Sequence, residues 1–378
     1  MGFSESDVVF VTGGNGHVSQ HVIHQLLSIS PGPTVRTSVR SNSSAQKLQD
    51  VFNSNKLQII LITDITSDEV FDAALETVTH LAHIASPIVI NSKDVKSELL
   101  DLAIRGTTRI LKSALKIKTM KSVVVTGSFA AVFDSMYGWR PYYIYTPEDW
   151  FPITYSEAAD PALDLTKWPE RWRYDIAYCS SKVLAEKAAW GFWKEANPTW
   201  QLTFILPTYI VEPYLTGIQS PDNLNYSNGL VWKAVSGNWT GDWVYPYWVD
   251  VRDVAKAHLE ALQREEASGK RFILATENVK LSQIAEIVRE KFPTLRPSDN
   301  YYPPEAFPID TSDSALLGMD RAIPFEQSMV DMISQFQPVA SAGNKNPVIA
   351  LGSACALPME WTKRNISKEL LLRFFVAI

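Results

Sequence analysis

The feature that most constrains this chain is an abrupt change after its first apolar run. Val8-Val9-Phe10-Val11 gives way to Thr12-Gly13-Gly14-Asn15-Gly16-His17-Val18-Ser19, and that to the helix-like stretch Gln20 to Leu27. A strand, a glycine-rich turn and a helix in this order open a βα unit. A diphosphate can approach its turn because Gly13 and Gly16 carry no Cβ, while the helix start offers unpaired N–H groups and positive potential. Ser19 stands where the dinucleotide fingerprint has its third glycine, a position where smallness lets the helix pack on the strand. Alone, such a turn is also an ordinary strand-to-helix connection. Its place in the first βα unit makes Thr12, Gly13, Asn15, Gly16, His17 and Val18 a candidate dinucleotide cradle.

Further β-branched runs follow at Thr34 to Val39, Leu57 to Ile62, His80 to Ile84, Ser122 to Thr126 and Leu202 to Leu206, with helix-like stretches between them. Strands with little polar interruption and helical crossovers predict an α/β protein with a doubly wound parallel sheet, the Rossmann fold. From Pro207 to Tyr247 the rhythm loosens into a Pro-, Tyr- and Trp-rich region before a helical pattern at Asp253 to Gln263. Residues 1–206 are therefore expected to be mainly the dinucleotide-binding domain. Residues 207–337 are expected to be mainly a smaller C-terminal substrate-binding lobe, with strands and helices returning to the core. The stretch 338–378 has the composition of an atypical extension, weakly ordered or docked as an extra helix. Among the 12 tryptophans, Trp232, Trp239, Trp243 and Trp248 fall in or beside the lobe, where core filling outweighs pocket lining.

Charge and cysteine content narrow the partners. With 35 basic and 41 acidic side chains the net charge is −6, and no long run of lysine or arginine points to nucleic acid. The two cysteines, Cys179 and Cys355, suggest neither a metal site nor a disulfide framework and fit a reducing, cytoplasmic setting. No stretch of about 18 apolar residues predicts a membrane span. Met1-Gly2-Phe3-Ser4-Glu5-Ser6 satisfies the bare N-myristoylation pattern, but the aromatic after the glycine suits it poorly. The expected partner is a small molecule, and the expected assembly a monomer or homodimer.

The end of the second strand selects the dinucleotide. An acidic residue there accepts ribose hydroxyls and repels a 2′-phosphate, whereas Thr37-Ser38-Val39-Arg40-Ser41 has no carboxylate. Arg40 can pair with a phosphate through its planar fork, with Arg36 or Lys47 as helpers, so NADPH is the expected cofactor. Asp64, in Ile62-Thr63-Asp64-Ile65, suits either the adenine amino group or capping of the residues that follow it.

Tyr178-Cys179-Ser180-Ser181-Lys182 sits in a helical stretch, so the tyrosine and lysine, at i and i+4, share one face. A carbonyl that accepts hydride at carbon must gain a proton at oxygen, and a phenol is an acid held in reserve for that step. A nearby ammonium is expected to draw the phenol's pKa toward neutrality. Tyr-x-x-x-Lys is common by chance. Here, however, Val123-Val124-Val125-Thr126 runs into Gly127-Ser128, placing Ser128 at the carboxyl edge of a strand, where it can orient a carbonyl oxygen toward Tyr178; its other use is satisfying its own turn.

These segments, with His83-Ile84-Ala85-Ser86-Pro87, Ser128-Phe129-Ala130-Ala131-Val132-Phe133-Asp134 and Asp250-Val251-Arg252-Asp253-Val254-Ala255, resemble the extended short-chain dehydrogenases/reductases over roughly residues 7 to 335. Within them the chain is most similar to yeast methylglyoxal and carbonyl reductases, fungal aldehyde reductases and plant dihydroflavonol reductases. The resemblance implies NADPH-dependent reduction of an aldehyde or ketone, with fungal secondary metabolism as a setting. Ser128, Tyr178 and Lys182 are then the catalytic set, and Arg40 recognises the 2′-phosphate. Asp64, Ile65, Ala85, Pro207 and Thr208 join the cofactor contacts, as do Tyr178 and Lys182, whose ammonium can hold the nicotinamide ribose, and Phe129, Phe133 and Tyr209 face the substrate, with core packing as the competing use of the aromatics. Arg105 departs from the family, which commonly has asparagine there in a proton relay, and Glu212 stands where a glycine is usual. A nucleotide-sugar epimerase or dehydratase, and a non-catalytic NADP-sensing regulator, are the alternatives on the same fold.

Overall fold

The computed structural model describes residues 2–67, 69–86, 94–211, 213–216, 224–239, 246–298 and 307–343. Pro87, Glu212, Trp243, Cys355 and everything after residue 343 lie outside the described residues. In chain order the elements are β1 (Val8–Val11), α1 (His17–Leu27), β2 (Thr34–Val39), α2 (Asn42–Phe52), β3 (Leu57–Leu61), β4 (His80–His83), α3 (Asp101–Leu115), β5 (Ser122–Thr126), α4 (Tyr155–Ala158), α5 (Ile176–Ala196), β6 (Gln201–Pro207), β7 (Tyr209–Val211), α6 (Tyr226–Val235), β8 (Tyr247–Asp250), α7 (Val251–Gln263), β9 (Arg271–Leu274), β10 (Glu277–Asn278), α8 (Leu281–Lys291) and α9 (Phe325–Gly343).

Seven strands form one parallel sheet in the order β3-β2-β1-β4-β5-β6-β9. Its central strands β1, β5 and β6 are largely apolar on both faces, as expected for a sheet with crossover helices on each side. Val9, Val11, Val124 and Ile205 point toward α1 and α7, packing with Val18, Val22, Val254 and Leu262. Their neighbours Phe10, Val123, Val125 and Phe204 join the opposite cluster with Ile110, Leu111, Ala189 and Trp190 of α3 and α5. Because the chain builds outward from β1 through β2 to β3 and then returns to β4, the direction of winding reverses between β1 and β4. The crevice at the carboxyl ends of these strands is where doubly wound proteins bind ligands. Thr12, Arg40, Ala85, Ser128 and Thr208 all follow strand ends on this edge.

The aromatic-rich stretch after Leu206 is more regular than its composition predicts. It contains β7, α6 and β8, and a second sheet runs β10-β8-β7, parallel between β7 and β8 and antiparallel between β8 and β10. Tyr209 and Trp248 are register partners whose ring centroids lie 5.0 Å apart, so the aromatics make the sheet's own packing. Trp248 is buried in the core, and Trp232 and Trp239 pack against it. Helix α9 runs on through Pro338 to Gly343, and its Met329, Met332, Ile333 and Phe336 are buried. Among the described residues no helix is long and apolar enough to cross a membrane.

Candidate active site

The glycine turn closes as a tight loop in which Gly16 N–H donates to the Gly13 carbonyl (2.7 Å). Gly13 has φ +66°, and a Cβ there would lie 3.0 Å from Ala85 Cβ, so both conformation and space require glycine. The turn is stitched to β2 through Ser38, whose hydroxyl accepts from Gly13 N–H (3.1 Å) and whose carbonyl accepts from Gly14 N–H (2.8 Å). Arg40, two residues on, therefore stands beside the turn. Helix α1 begins with Gly16 as N-cap, no side chain caps it, and no carboxylate occupies its first turn. Those open N–H groups and the Gly13 cradle fit a dinucleotide diphosphate. His17 and Val18 bury their side chains, Val18 fully, so what they offer a ligand is backbone N–H. Asn15 is exposed at the tip. Ser19 is buried, and its hydroxyl donates to the Thr12 carbonyl (3.0 Å), tying helix to strand where a glycine would only permit close packing.

Thr12 joins this turn to the next strand. Its hydroxyl accepts from Ile84 N–H and Ala85 N–H (both 2.9 Å), placing Ala85 against Gly13. Across the edge, Gly127 leaves β5 where an added Cβ would come within 2.5 Å of Leu206 Cδ2 and would have to displace that side chain. Ser128 follows in extended conformation, accepts from Ala130 N–H (3.2 Å) and also pairs with the phenol of Tyr178. The turn bond expected of Ser128 thus leaves its hydroxyl within reach of Tyr178. Pro207 ends β6, and Thr208 is fixed by two bonds to the Leu274 carbonyl, from its N–H (3.0 Å) and its hydroxyl (3.1 Å).

Tyr178 and Lys182 lie one turn apart on α5, the Lys182 ammonium 5.5 Å from the Tyr178 ring centroid. α5 is packed on several sides, against the sheet through Ala189 and Trp190 and against Phe151, Ile153 and Trp168 through Cys179 and Val183. Burial dominates the electrostatics. It pulls the Lys182 ammonium down to about 7 and holds the Tyr178 phenol above its ordinary range, against the opposing bond from Ser128. The expectation that Lys182 draws Tyr178 toward neutrality is thus reversed: desolvation keeps the phenol protonated. Lys182 Nζ donates to Ser86 Oγ (3.0 Å), a partner not singled out from sequence.

Several expected residues are engaged elsewhere. Arg36 is no helper to Arg40, since its guanidinium donates to Gln58 Oε1 (3.0 Å) and to the carbonyls of Ala74 (2.9 Å) and Glu76 (2.7 Å). Asp64 closes its own turn, accepting from Thr66 N–H (2.8 Å), the Thr66 hydroxyl (2.7 Å) and the Ser67 hydroxyl (3.0 Å). Ile65 lies against Gly106 of α3. Arg105 reaches the Thr66 carbonyl (3.4 Å) and the field of Asp64, not Lys182. Phe129 and Phe133 are buried in an aromatic cluster with Tyr145, Trp172 and Phe307. Tyr209 is buried close enough to Tyr178 for their charges to interact. Sequence reasoning also passed over Asp175, at the start of α5, whose carboxyl burial pushes up to about 7 and whose charge is felt by Tyr178 and Tyr209. A carboxylate three residues before the tyrosine was the available signal.

Comparison with known proteins places the family and the fold. A model of the 3-beta hydroxysteroid dehydrogenase/isomerase family matches residues 10–144. An uncharacterized oxidoreductase of Schizosaccharomyces pombe is 36% identical over 82% of this chain and 91% of its own length. Ketoreductase azaE of Aspergillus niger is 30% identical over 83% of this chain and 90% of its own. Among solved structures, yeast methylglyoxal/isovaleraldehyde reductase Gre2 complexed with NADPH superposes with a TM-score of 0.77 at 29% identity, covering 88% of this chain and 98% of that one.

Proposed function

Because this chain belongs to the extended short-chain dehydrogenase/reductase family, we propose a division of labour within its site for the NADPH-dependent reduction of an aldehyde or ketone to an alcohol. The observation that carries it is the pairing of the Ser128 hydroxyl with the Tyr178 phenol at the carboxyl edge of β5, one helical turn from Lys182. Bound NADPH supplies the hydride. Ser128 orients the carbonyl oxygen, Tyr178 gives that oxygen its proton, and the Lys182 ammonium favours the phenolate left behind. The phenol suits this role because burial keeps it protonated until an alkoxide, a far stronger base, forms beside it.

Thr12, Gly13, Asn15, Gly16 and the first N–H groups of α1 at His17 and Val18 receive the diphosphate, and Arg40 receives the 2′-phosphate. Ala85, Pro207 and Thr208 border the nicotinamide, while Asp64 and Ile65 border the adenine. Tyr209 forms the substrate wall, and Phe129 and Phe133 stiffen it from behind within their aromatic cluster. The low cysteine content supports a cytoplasmic setting.

The test follows NADPH depletion across aldehydes, α-diketones and aromatic ketones, beside NADH. Turnover is expected with NADPH, and Tyr178→Phe should lose roughly 10²- to 10⁴-fold in kcat while still binding NADPH. No turnover with any carbonyl despite tight NADPH binding, or purification with tightly held NAD, would overturn the proposal.

A further inference from the structure

Behind Lys182 lies a small cavity of about 20 Å³, bordered among others by His83, Ser86, Thr107, Thr126 and Glu186. That is room for one water, and the walls are polar enough to hold it. Hydrogen-bond bookkeeping fixes the state of His83. The Thr12 hydroxyl spends both lone pairs on the N–H groups of Ile84 and Ala85, so its proton goes to His83 Nδ1 (3.2 Å). The ring is therefore neutral with its hydrogen on Nε2. Thr126 is fixed in the same way: Nδ1–H of His258 donates to the Val254 carbonyl (2.7 Å), leaving Nε2 to accept from Thr126 Oγ1 (2.8 Å). The lone pairs of Thr126, and those of Thr107, whose hydroxyl donates to Ala103, remain for the cavity.

We propose that Ser86 is the positioning residue for Lys182, and that with one cavity water it returns the proton that Lys182 passes toward Tyr178. Each turnover then moves one proton from solvent to the product oxygen. The Tyr178 O–H bond breaks as the product O–H bond forms, and the phenolate regains a proton from the Lys182 ammonium. The amine takes one from Ser86 as Ser86 takes one from the water, and the hydroxide left in the cavity regains its proton from solvent while His83 stays neutral. The side chain at position 105 of α3 has no part in this path, because it is turned to Thr66 and Asp64. The charged and titratable groups facing Lys182 are Tyr178 and Glu186 on its own helix and His83 from β4, with Arg271 of β9 behind Glu186 and His258 of α7 behind Thr126.

This inference rests on the catalytic assignment above, and its experiment separates the two. In unliganded protein labelled at lysine ¹³Cε, with the Lys182 signal assigned by its loss in Lys182→Arg, the titration midpoint is expected to drop by about half a unit to one unit in Ser86→Ala, since an acceptor of the ammonium is lost. The alkaline limb of the kcat profile should move the same way, with kcat down roughly tenfold, KM for NADPH little changed, and both effects restored in Ser86→Thr. Unchanged midpoint and unchanged limb in Ser86→Ala would overturn the proposal. Wild-type enzyme provides a check that does not depend on a variant folding: single-turnover rates in H₂O/D₂O mixtures should curve, as for several protons in motion, and a straight line would also overturn it. Retained turnover in Tyr178→Phe removes the underlying assignment as well. An inactive Tyr178→Phe beside a Ser86→Ala that titrates like wild type removes only the role of Ser86.

Discussion

We propose that cofactor choice turns on Arg40. It directly follows β2, and Ser38 of that strand holds the glycine turn through two hydrogen bonds, which sets position 40 beside the turn that would seat a diphosphate on α1. Hydrogen bonds to charged groups contribute about 1.5–3 kcal/mol each. Arg40→Ala is accordingly expected to raise KM for NADPH roughly 10- to 100-fold and to leave KM for NADH within about threefold, measured by steady-state kinetics with each cofactor. An equal change for both would mean that position 40 does not read the phosphate. The glycine turn and the Tyr178–Lys182 pair on one helix face were readable in the sequence because each is local, a few residues whose spacing carries the geometry. Ser86 was not, since its partner Lys182 is 96 residues away. Nor was the fate of Arg36, which is decided by carbonyls of a loop leading to another strand. Arg36 and Arg40 look alike as sequence and differ only in what the fold brings to them.

At the scale of elements, α5 is tied to β9 by a buried ion pair one turn beyond Lys182. Arg271 Nε donates to Glu186 Oε1 (2.7 Å), with side chains 8% and 1% exposed, and Arg271 also donates to the carbonyls of Pro147 and Asp149 while lying over the Trp150 ring (3.6 Å). Burial already pushes the Glu186 carboxyl above its usual range, so the pair is costly to halve. Arg271→Met is expected to destabilise by about 3–5 kcal/mol, read as a shift in urea midpoint at constant slope. Adding Glu186→Met should recover part of that loss, because the buried charge is gone, but not all, because the two loop carbonyls still lack their donor. A double variant no more stable than the single would place the whole effect in the loop. The parallel sheet was readable because its strands are short apolar runs at crossover spacing. The second sheet was not: between Pro207 and Tyr247 the aromatics that form β7 and α6 mask any period of two or 3.6.

For the molecule as a whole, the histidines set an acid limit. Of the six, His17, His21, His80, His83 and His258 are buried, and burial pulls His21, His80, His83 and His258 down to about 4 and His17 well below its ordinary value. The unfolded chain takes up these protons as pH falls through about 6.5, whereas the folded chain resists until about 4, so the unfolded state binds more protons and stability rises with pH across that window. Asp175 works against one of them: its folded carboxyl, pushed up to about 7, binds a proton that the unfolded chain has already released. Asp134, Glu186 and Asp253, which burial also raises, oppose in the same sense, so the net is fewer protons than there are buried histidines, each worth about 1.4 kcal/mol per pH unit at full slope against a typical total stability of about 5–15 kcal/mol. Cooperative acid unfolding is therefore expected to begin near pH 5, well above the range where ordinary carboxylates titrate, and tryptophan fluorescence and near-ultraviolet circular dichroism would follow it together. His258→Gln tests the assignment of slope to side chain, since protonating His258 forfeits the bond from Thr126 while an amide keeps a donor and an acceptor without titrating. That variant should flatten the dependence of Tm on pH between 6.5 and 4.5 by about one proton, and an unaltered slope would mean that His258 takes up its proton without opening the fold.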